Sequence, residues 1–399
     1  MLKGIKNKFF RFKQIFKDGL DKYLKHTKYD TPYIRDEVNK MLICGTEEGG
    51  FVEYGCSCCG KGKHKINMSC KGKCCPQCGK RYARDSMEKI ANQMLSGISY
   101  RQVVLTLPCE YREHFKNHDD QSKLYADFMK AAHLCIREVI CKHFKSWNYD
   151  ISCIVFIHTH GRNGIYNPHL HILLGEGAME ISNHDWKEFK YIDMNVLRKT
   201  WQKRLLSMIR KEMPELNELS DALEAEHIDG FYANPGKVGE VPTENTKGLI
   251  RYLTKYLASP PIGLSRITKY EDDTVSYYYK SHLTKRNEFE NVSVEVFLDR
   301  MIPHILPKNF QRVRYYGLQT TAKVKFWREI ISQIVGIVVD STKKILNRIS
   351  YADFFEEITG RNPLKCRCCG EKMEVFRIVH ATKGLVYDIF RDSIEWQGF

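Results

Sequence analysis

Two histidines separated by a single leucine, His169 and His171, stand in the apolar run HLHILLG at 169–175. In an extended strand alternate side chains share a face, so both imidazoles point one way while Leu170 and Ile172 point the other. Imidazoles placed like this can hold one divalent ion and leave coordination positions open for phosphate oxygens. His158 and His160 end the preceding apolar run, ISCIVFIHTH at 151–160, and share a face with each other. If the two runs pair, one of them is available as a third ligand. A second chemically useful pair, Tyr252 and Tyr256, is spaced four residues apart in NTKGLIRYLTKYLA (245–258). On a helix that spacing is one face. Both tyrosines fall at the edge of the stripe Leu249, Ile250, Leu253 and Leu257, beside Arg251 and Lys255, where a ring packs while its hydroxyl reaches out of the core.

The third group is made of cysteines. Cys56-x2-Cys59 and Cys75-x2-Cys78 are held apart by fifteen residues, with Gly60 and Gly79 next to them. Two such knuckles are expected to close one tetrahedral site, and four thiolates leave a zinc ion no open position, so the site is structural. Cys58, Cys70, Cys74 and His64 lie close enough to substitute for one of the four. Cys366-x2-Cys369 is a half-site with only His380 near it downstream. The chain has 15 cysteines, most of them in these two groups. No signal peptide is visible, so metal binding is expected before disulfides, and the protein reads as cytoplasmic.

Secondary structure around these residues is legible in outline. Residues 1–27 carry Leu2, Ile5, Phe9, Phe12, Phe16, Leu20 and Leu24 at helical spacing with Lys and Arg between them, a basic amphipathic helix expected to dock on the core. VVLTLP (103–108) reads as a strand stopped by Pro108, and 121–144 as a helix. Residues 151–160 and 169–175 read as two strands of a hairpin joined by the Gly/Asn loop GRNGIYNP. The segments 195–213 and 245–258 are basic amphipathic helices, the second stopped by Pro260 and Pro261. Strands and helices mix without a βα repeat, which predicts an α+β fold with an antiparallel sheet. The expected division is a helical extension (1–40), a zinc-binding module (41–95), a catalytic domain (96–288) and a mostly helical region (289–399).

Lys and Arg outnumber Asp and Glu by 63 to 48, a net charge of +15, and the excess is clustered. Residues 56–84 hold eight Lys or Arg and no acid, and 305–328 hold six and no acid. Basic stretches interleaved with aromatic residues favour a polyanion, through phosphate neutralisation and base stacking. The apolar runs, IVFI and IVGIVV among them, are far too short for a membrane span.

Taken together in this order, the motifs resemble the two-tyrosine HUH transposases of rolling-circle insertion sequences, HUH standing for His-hydrophobic-His, with an amino-terminal transposase zinc-binding domain. The matching pieces are CSCCG…SCKGKCCPQCGK (56–80), VVLTLP, HTHG (158–161), NPHLHILLG (167–175), YLTKYLASPPIGLSRI (252–267), YYYKSHLTKR (277–286) and FLDRMIPHILPKNFQRVRYYG (297–317). A CxxCG near 366–370 also recurs in that family. The resemblance implies an HUH-endonuclease-like antiparallel sheet with flanking helices and a divalent ion, Mg2+ or Mn2+, on His169 and His171. It makes Tyr252 and Tyr256 the nucleophiles, each able to leave a 5′-phosphotyrosine and a free 3′-hydroxyl on single-stranded or locally melted DNA. It also favours His158, which opens the HTHG stretch, over His160 as the third ligand. Asn167 departs from the family, which often has another histidine there. The same chemistry belongs to plasmid replication initiators and relaxases. A reading from a different class is a zinc-dependent DNA-binding regulator without catalysis.

Overall fold

A computed structural model describes residues 2–72, 75–241, 243, 248, 252, 260–281, 283–336, 352, 353, 355, 356 and 360–392. The amino-terminal periodicity becomes α1 (Leu2–Leu24), whose apolar stripe is buried from Phe9 to Leu24. It docks as expected, in one cluster with Val294, Phe297 and Leu298. The next helix, α2 (Pro32–Ile43), starts on Thr31, whose hydroxyl accepts from the Ile34 amide at 3.2 Å, and on a proline at its first position. Both are helix-start signals, since a capping oxygen satisfies an orphan N–H and proline lacks one. It ends at Cys44.

A short hairpin follows, β1 (Gly50–Gly55) and β2 (Lys63–Asn67), then α3 (Pro76–Gln93). The central sheet begins at β3 (Tyr100–Thr106). After α4 (Arg112–Asn117) and α5 (Gln121–His143) come the long strands β4 (Tyr149–His160) and β5 (Tyr166–Glu180), then β6 (Asp185–Glu188), α6 (Met194–Glu212) and the two-residue strand β7 (Ala233–Asn234). A separate three-stranded sheet is made of β8 (Ile267–Glu271), β9 (Thr274–Lys280) and β10 (Asn287–Ser293). Beyond 289, where the sequence reads mostly helical, the chain also supplies β11 (Val313–Gly317), β12 (Glu374–His380) and β13 (Gly384–Asp388). Each of the first two pairs with a strand far away in sequence, β11 with β4 and β12 with β1.

The central sheet has the order β11-β4-β5-β3-β7, with β6 on β5, and its pairings are antiparallel. Its two faces have different partners. Val103, Leu105, Cys153, Val155, Ile157, Leu170, Ile172 and Leu174 pack under α5 and α6, around fully buried Phe128 and Trp201. Burying an aromatic side chain of this size contributes roughly 2–3 kcal/mol. Trp201 also donates its indole N–H to the Thr106 carbonyl at 2.9 Å, fixing α6 over the end of β3. On the other face Ile154, Phe156 and Leu173 meet Ile90 and Ala91 of α3 and Val324, Trp327 and Ile331 of the helix Val324–Val335. Period-two alternation therefore sends one set of residues under α5 and α6 and leaves the opposite set for the site described next. Among the described residues, no helix is long and apolar enough to cross a membrane.

Candidate active site and metal centres

His169 and His171 lie on β5 with their rings on the face away from α5 and α6. The β4–β5 register pairs His158 directly with His169, and β3 lies on the other side of β5 with Thr106 opposite His169 and Val104 opposite His171. The result is a trio, His158, His169 and His171, each offering a ring nitrogen, with these atoms all within 4.8 Å of one another. His160 is outside the trio, its ring stacked on that of His158 at 5.8 Å. The register shifts between His158 and His160, so that His160 pairs with Tyr166, and its ring lies 5.3 Å from that of His304. His304 is itself anchored to the Thr159 hydroxyl at 3.0 Å and the Gly164 carbonyl at 2.9 Å.

The donor chemistry suits a divalent ion. His169 directs Nδ1 to the Asn167 carbonyl at 2.7 Å, which fixes the ring and leaves Nε2 as the ligand atom. Burial lowers the pKa of His169 and pushes that of His171 down to about 3, so both rings stay in the neutral form that ligation requires.

Gln102 on β3, which nothing in the sequence singles out, joins this trio to a tyrosine. Its carboxamide makes a short hydrogen bond with His171 Nδ1, and its other end accepts from the Tyr252 hydroxyl at 3.0 Å. Tyr252 is half-buried beside the cluster that holds Leu173. The chain leading to it is strapped along β3: Asn234 pairs with Val104, and the Val241 amide donates to the Tyr100 carbonyl at 3.1 Å. Between them Gly236, at φ +68°, passes so close to the Gln102 carbonyl that a Cβ would collide with it. Tyr256 lies outside the described residues.

The four cysteines expected to share one zinc ion do not come together. Each knuckle instead has partners that the sequence reading left out of that set. Cys75 and Cys78 join Cys44 and Cys70, and Cys56 and Cys59 join Cys366 and Cys369, each group with its sulfurs within 4.8 Å of one another. In the first, Cys78 lies 3.4 Å from both Cys44 and Cys70, and Cys75 lies 3.8 Å from Cys44. In the second, the Cys56–Cys369 and Cys59–Cys366 distances are 3.4 and 3.6 Å. Four thiolates around a zinc ion at the usual bond length sit about 3.8 Å apart. The reason for the exchange is topological: β2 carries the chain away from the first knuckle, while the end of α2 delivers Cys44 to the second. Cys70 was among the possible substitutes, whereas Cys44 stands alone in sequence with no local signal. Cys74 lies outside the described residues, and neither Cys58 nor His64 belongs to either group.

Comparison with known proteins identifies two regions of the chain. Residues 15–107 match the model of a transposase zinc-binding domain, and residues 153–325 match that of a family described as "Putative transposase". The chain is 24% identical over 365 residues to "Putative transposase y4qJ" of Sinorhizobium fredii, covering 86% of this chain and 89% of that protein. It is 25% identical over 350 residues to the transposase for insertion sequence element IS801 of Pseudomonas savastanoi pv. phaseolicola, covering 85% and 82%. No solved structure matches it significantly. The chain thus carries a transposase zinc-binding domain and a transposase domain that spans the histidine strands, and along most of its length it is similar to transposases of the IS801 type.

Proposed function

We propose that this transposase cuts and rejoins a single strand of DNA through a covalent phosphotyrosine, as in rolling-circle transposition. The observation that carries the reading is the three-histidine cluster, with Tyr252 linked to it through Gln102. His158, His169 and His171 would hold a divalent ion, Mg2+ or Mn2+, which when bound stabilises negative charge on a phosphate oxygen. The protein's own part is positioning. A phenol with an ordinary pKa of about 10 is a weak nucleophile near neutral pH, so its oxygen must be aimed and its charge accommodated. Attack by the Tyr252 or Tyr256 oxygen forms the Oη–P bond and breaks the P–O3′ bond. The phenol proton passes to solvent and the departing 3′-oxygen takes up a proton. The new ester conserves the phosphodiester, so rejoining needs no nucleotide cofactor.

Gln102 is the positioning residue in this scheme. If His171 held the ion through Nε2, its Nδ1 would carry the proton, and the Gln102 carboxamide, whose Oε1 otherwise accepts from Tyr252, would exchange its two ends to accept there through Oε1. The carboxamide then turns its NH2 toward the Tyr252 oxygen, an orientation that leaves the tyrosine proton free to depart. Side-chain amide orientation follows the hydrogen-bond network in this way. Replacement of Gln102 by Leu is expected to slow single-turnover cleavage and weaken Mn2+ binding, each on the order of 10- to 100-fold, with DNA affinity unchanged. Quench-flow, Mn2+ titration followed by EPR, and fluorescence anisotropy read the three quantities. Wild-type cleavage and Mn2+ affinity in this variant would remove Gln102 from the scheme.

The whole reading is tested by mixing the purified protein with labelled single-stranded oligonucleotides carrying the element's ends. A denaturation-resistant protein–DNA adduct is expected with Mn2+ and none in EDTA. A protein that binds these strands yet never forms an adduct, in either metal, is a DNA-binding regulator instead.

A further inference from the structure

The zinc-binding domain match ends at residue 107, yet the first cysteine knuckle finds its partners at Cys366 and Cys369. These distances follow from the sheet. Strand β12 pairs antiparallel with β1 from Gly50–His380 to Gly55–Glu374, inside a four-stranded sheet ordered β13-β12-β1-β2. Cys56 follows directly on Gly55, and Cys369 precedes Glu374 by one turn, so both knuckles emerge at the same end of the paired strands.

The knuckles are near copies of each other. Each is Cys-x-x-Cys-Gly, with Gly60 at φ +67° and Gly370 at φ +81°. In each the glycine amide donates to the carbonyl of the first cysteine at 2.9 Å. Amides also point at the sulfurs, that of Cys368 lying 3.4 Å from Cys366 Sγ. Gly62 touches the centre, and a Cβ there would collide with Cys366 Sγ.

Beside the cluster is a concavity of about 310 Å³ that residues from both ends of the chain line together. Lys61 and Lys63 come from the amino-terminal hairpin, and Arg361, Lys365 and Arg367 from the carboxy-terminal segment. No acid lines it. Among the described residues, Lys61, Lys63, Lys365 and Arg367 form no ion pair. The Phe355 ring stands in its wall, 6.2 Å from that of His64. Unpaired cations around a cleft with an aromatic wall are suited to a phosphodiester strand and its bases.

We propose that Cys56, Cys59, Cys366 and Cys369 hold a second structural zinc ion, completed from the far end of the chain, and that the cleft it clamps shut binds a DNA strand. The zinc half stands without the transposase reading; the DNA half rests on it. Full-length protein should contain two zinc ions per chain by elemental analysis. Cobalt substitution of the intact protein should give two equivalents with the spectrum of tetrahedral thiolate coordination. Cys366→Ser with Cys369→Ser should lower the content to one while Cys75 and Cys78 keep theirs, and Gly62→Val should do the same with every ligand left in place. One metal equivalent per intact chain overturns the site, whatever the variants do.

For the cleft, Lys61→Ala, Lys63→Ala and Arg367→Ala are combined in protein that retains both zinc ions. Binding of a labelled single-stranded oligonucleotide, followed by anisotropy against salt, should weaken about tenfold or more, with a shallower salt dependence, since each lost phosphate contact removes about 0.7 from the slope. Unchanged affinity and slope in this variant overturn the DNA half while leaving the zinc count as found. If the wild-type protein binds the strand but forms no adduct, the catalytic reading fails and this one stands.

Discussion

Replacing His169 or His171 by Ala is expected to abolish strand cleavage while leaving DNA binding nearly intact. Each ring supplies a ligand atom to the trio, and its loss removes the charge stabilisation of the phosphate that a bound ion supplies. Losing one such electrostatic contribution lowers rates on the order of 100- to 1000-fold. Affinity should survive because the proposed phosphate contacts are made by cations elsewhere, such as Lys61, Lys63 and Arg367 of the cleft, and not by the imidazoles. His158→Ala should behave in the same way and His160→Ala should not, since His160 lies outside the trio, between His158 and His304. Single-turnover cleavage and anisotropy titrations, run side by side, separate the two effects. Full cleavage in EDTA, or in His171→Ala, would contradict the role given to the trio.

The parts of this site that the sequence made legible are those set by local periodicity. Alternation along 151–160 and 169–175 puts His169 with His171 and His158 with His160; the resemblance favoured His158 of the second pair, and it is the hairpin register that sets His158 opposite His169. The amino-terminal stripe likewise foretold α1 and its docking. What stayed hidden depends on pairing between distant segments. Gln102 is an ordinary polar strand residue until the sheet order sets β3 beside β5. The cysteine partners are decided by the β1–β12 register, which brings together residues more than 300 positions apart. Spacing rules assume that two neighbouring Cys-x2-Cys pairs serve the same ion. Here each pair is completed by the fold, one from α2 and the 70s, the other from beyond 360.

The second large effect concerns the tyrosines. Tyr252→Phe combined with Tyr256→Phe removes two hydroxyls and no ring, so packing beside the Leu173 cluster is retained and the fold should hold. For residues that only pack, the change would be close to neutral in every assay. For nucleophiles it must eliminate the covalent adduct. Tyr252→Phe alone also cuts the link to Gln102, so it should lose more cleavage than Tyr256→Phe if the first strand transfer uses Tyr252. Residual cleavage in both single variants, absent from the double, means that either hydroxyl can attack.

The most direct measurement is peptide mapping of the trapped adduct by mass spectrometry, after cleavage of a single-stranded oligonucleotide in Mn2+ and digestion of both DNA and protein. The account predicts a nucleotide esterified through its 5′-phosphate to Tyr252 or Tyr256. A nucleotide on any other residue, or one attached through its 3′-phosphate, would contradict it.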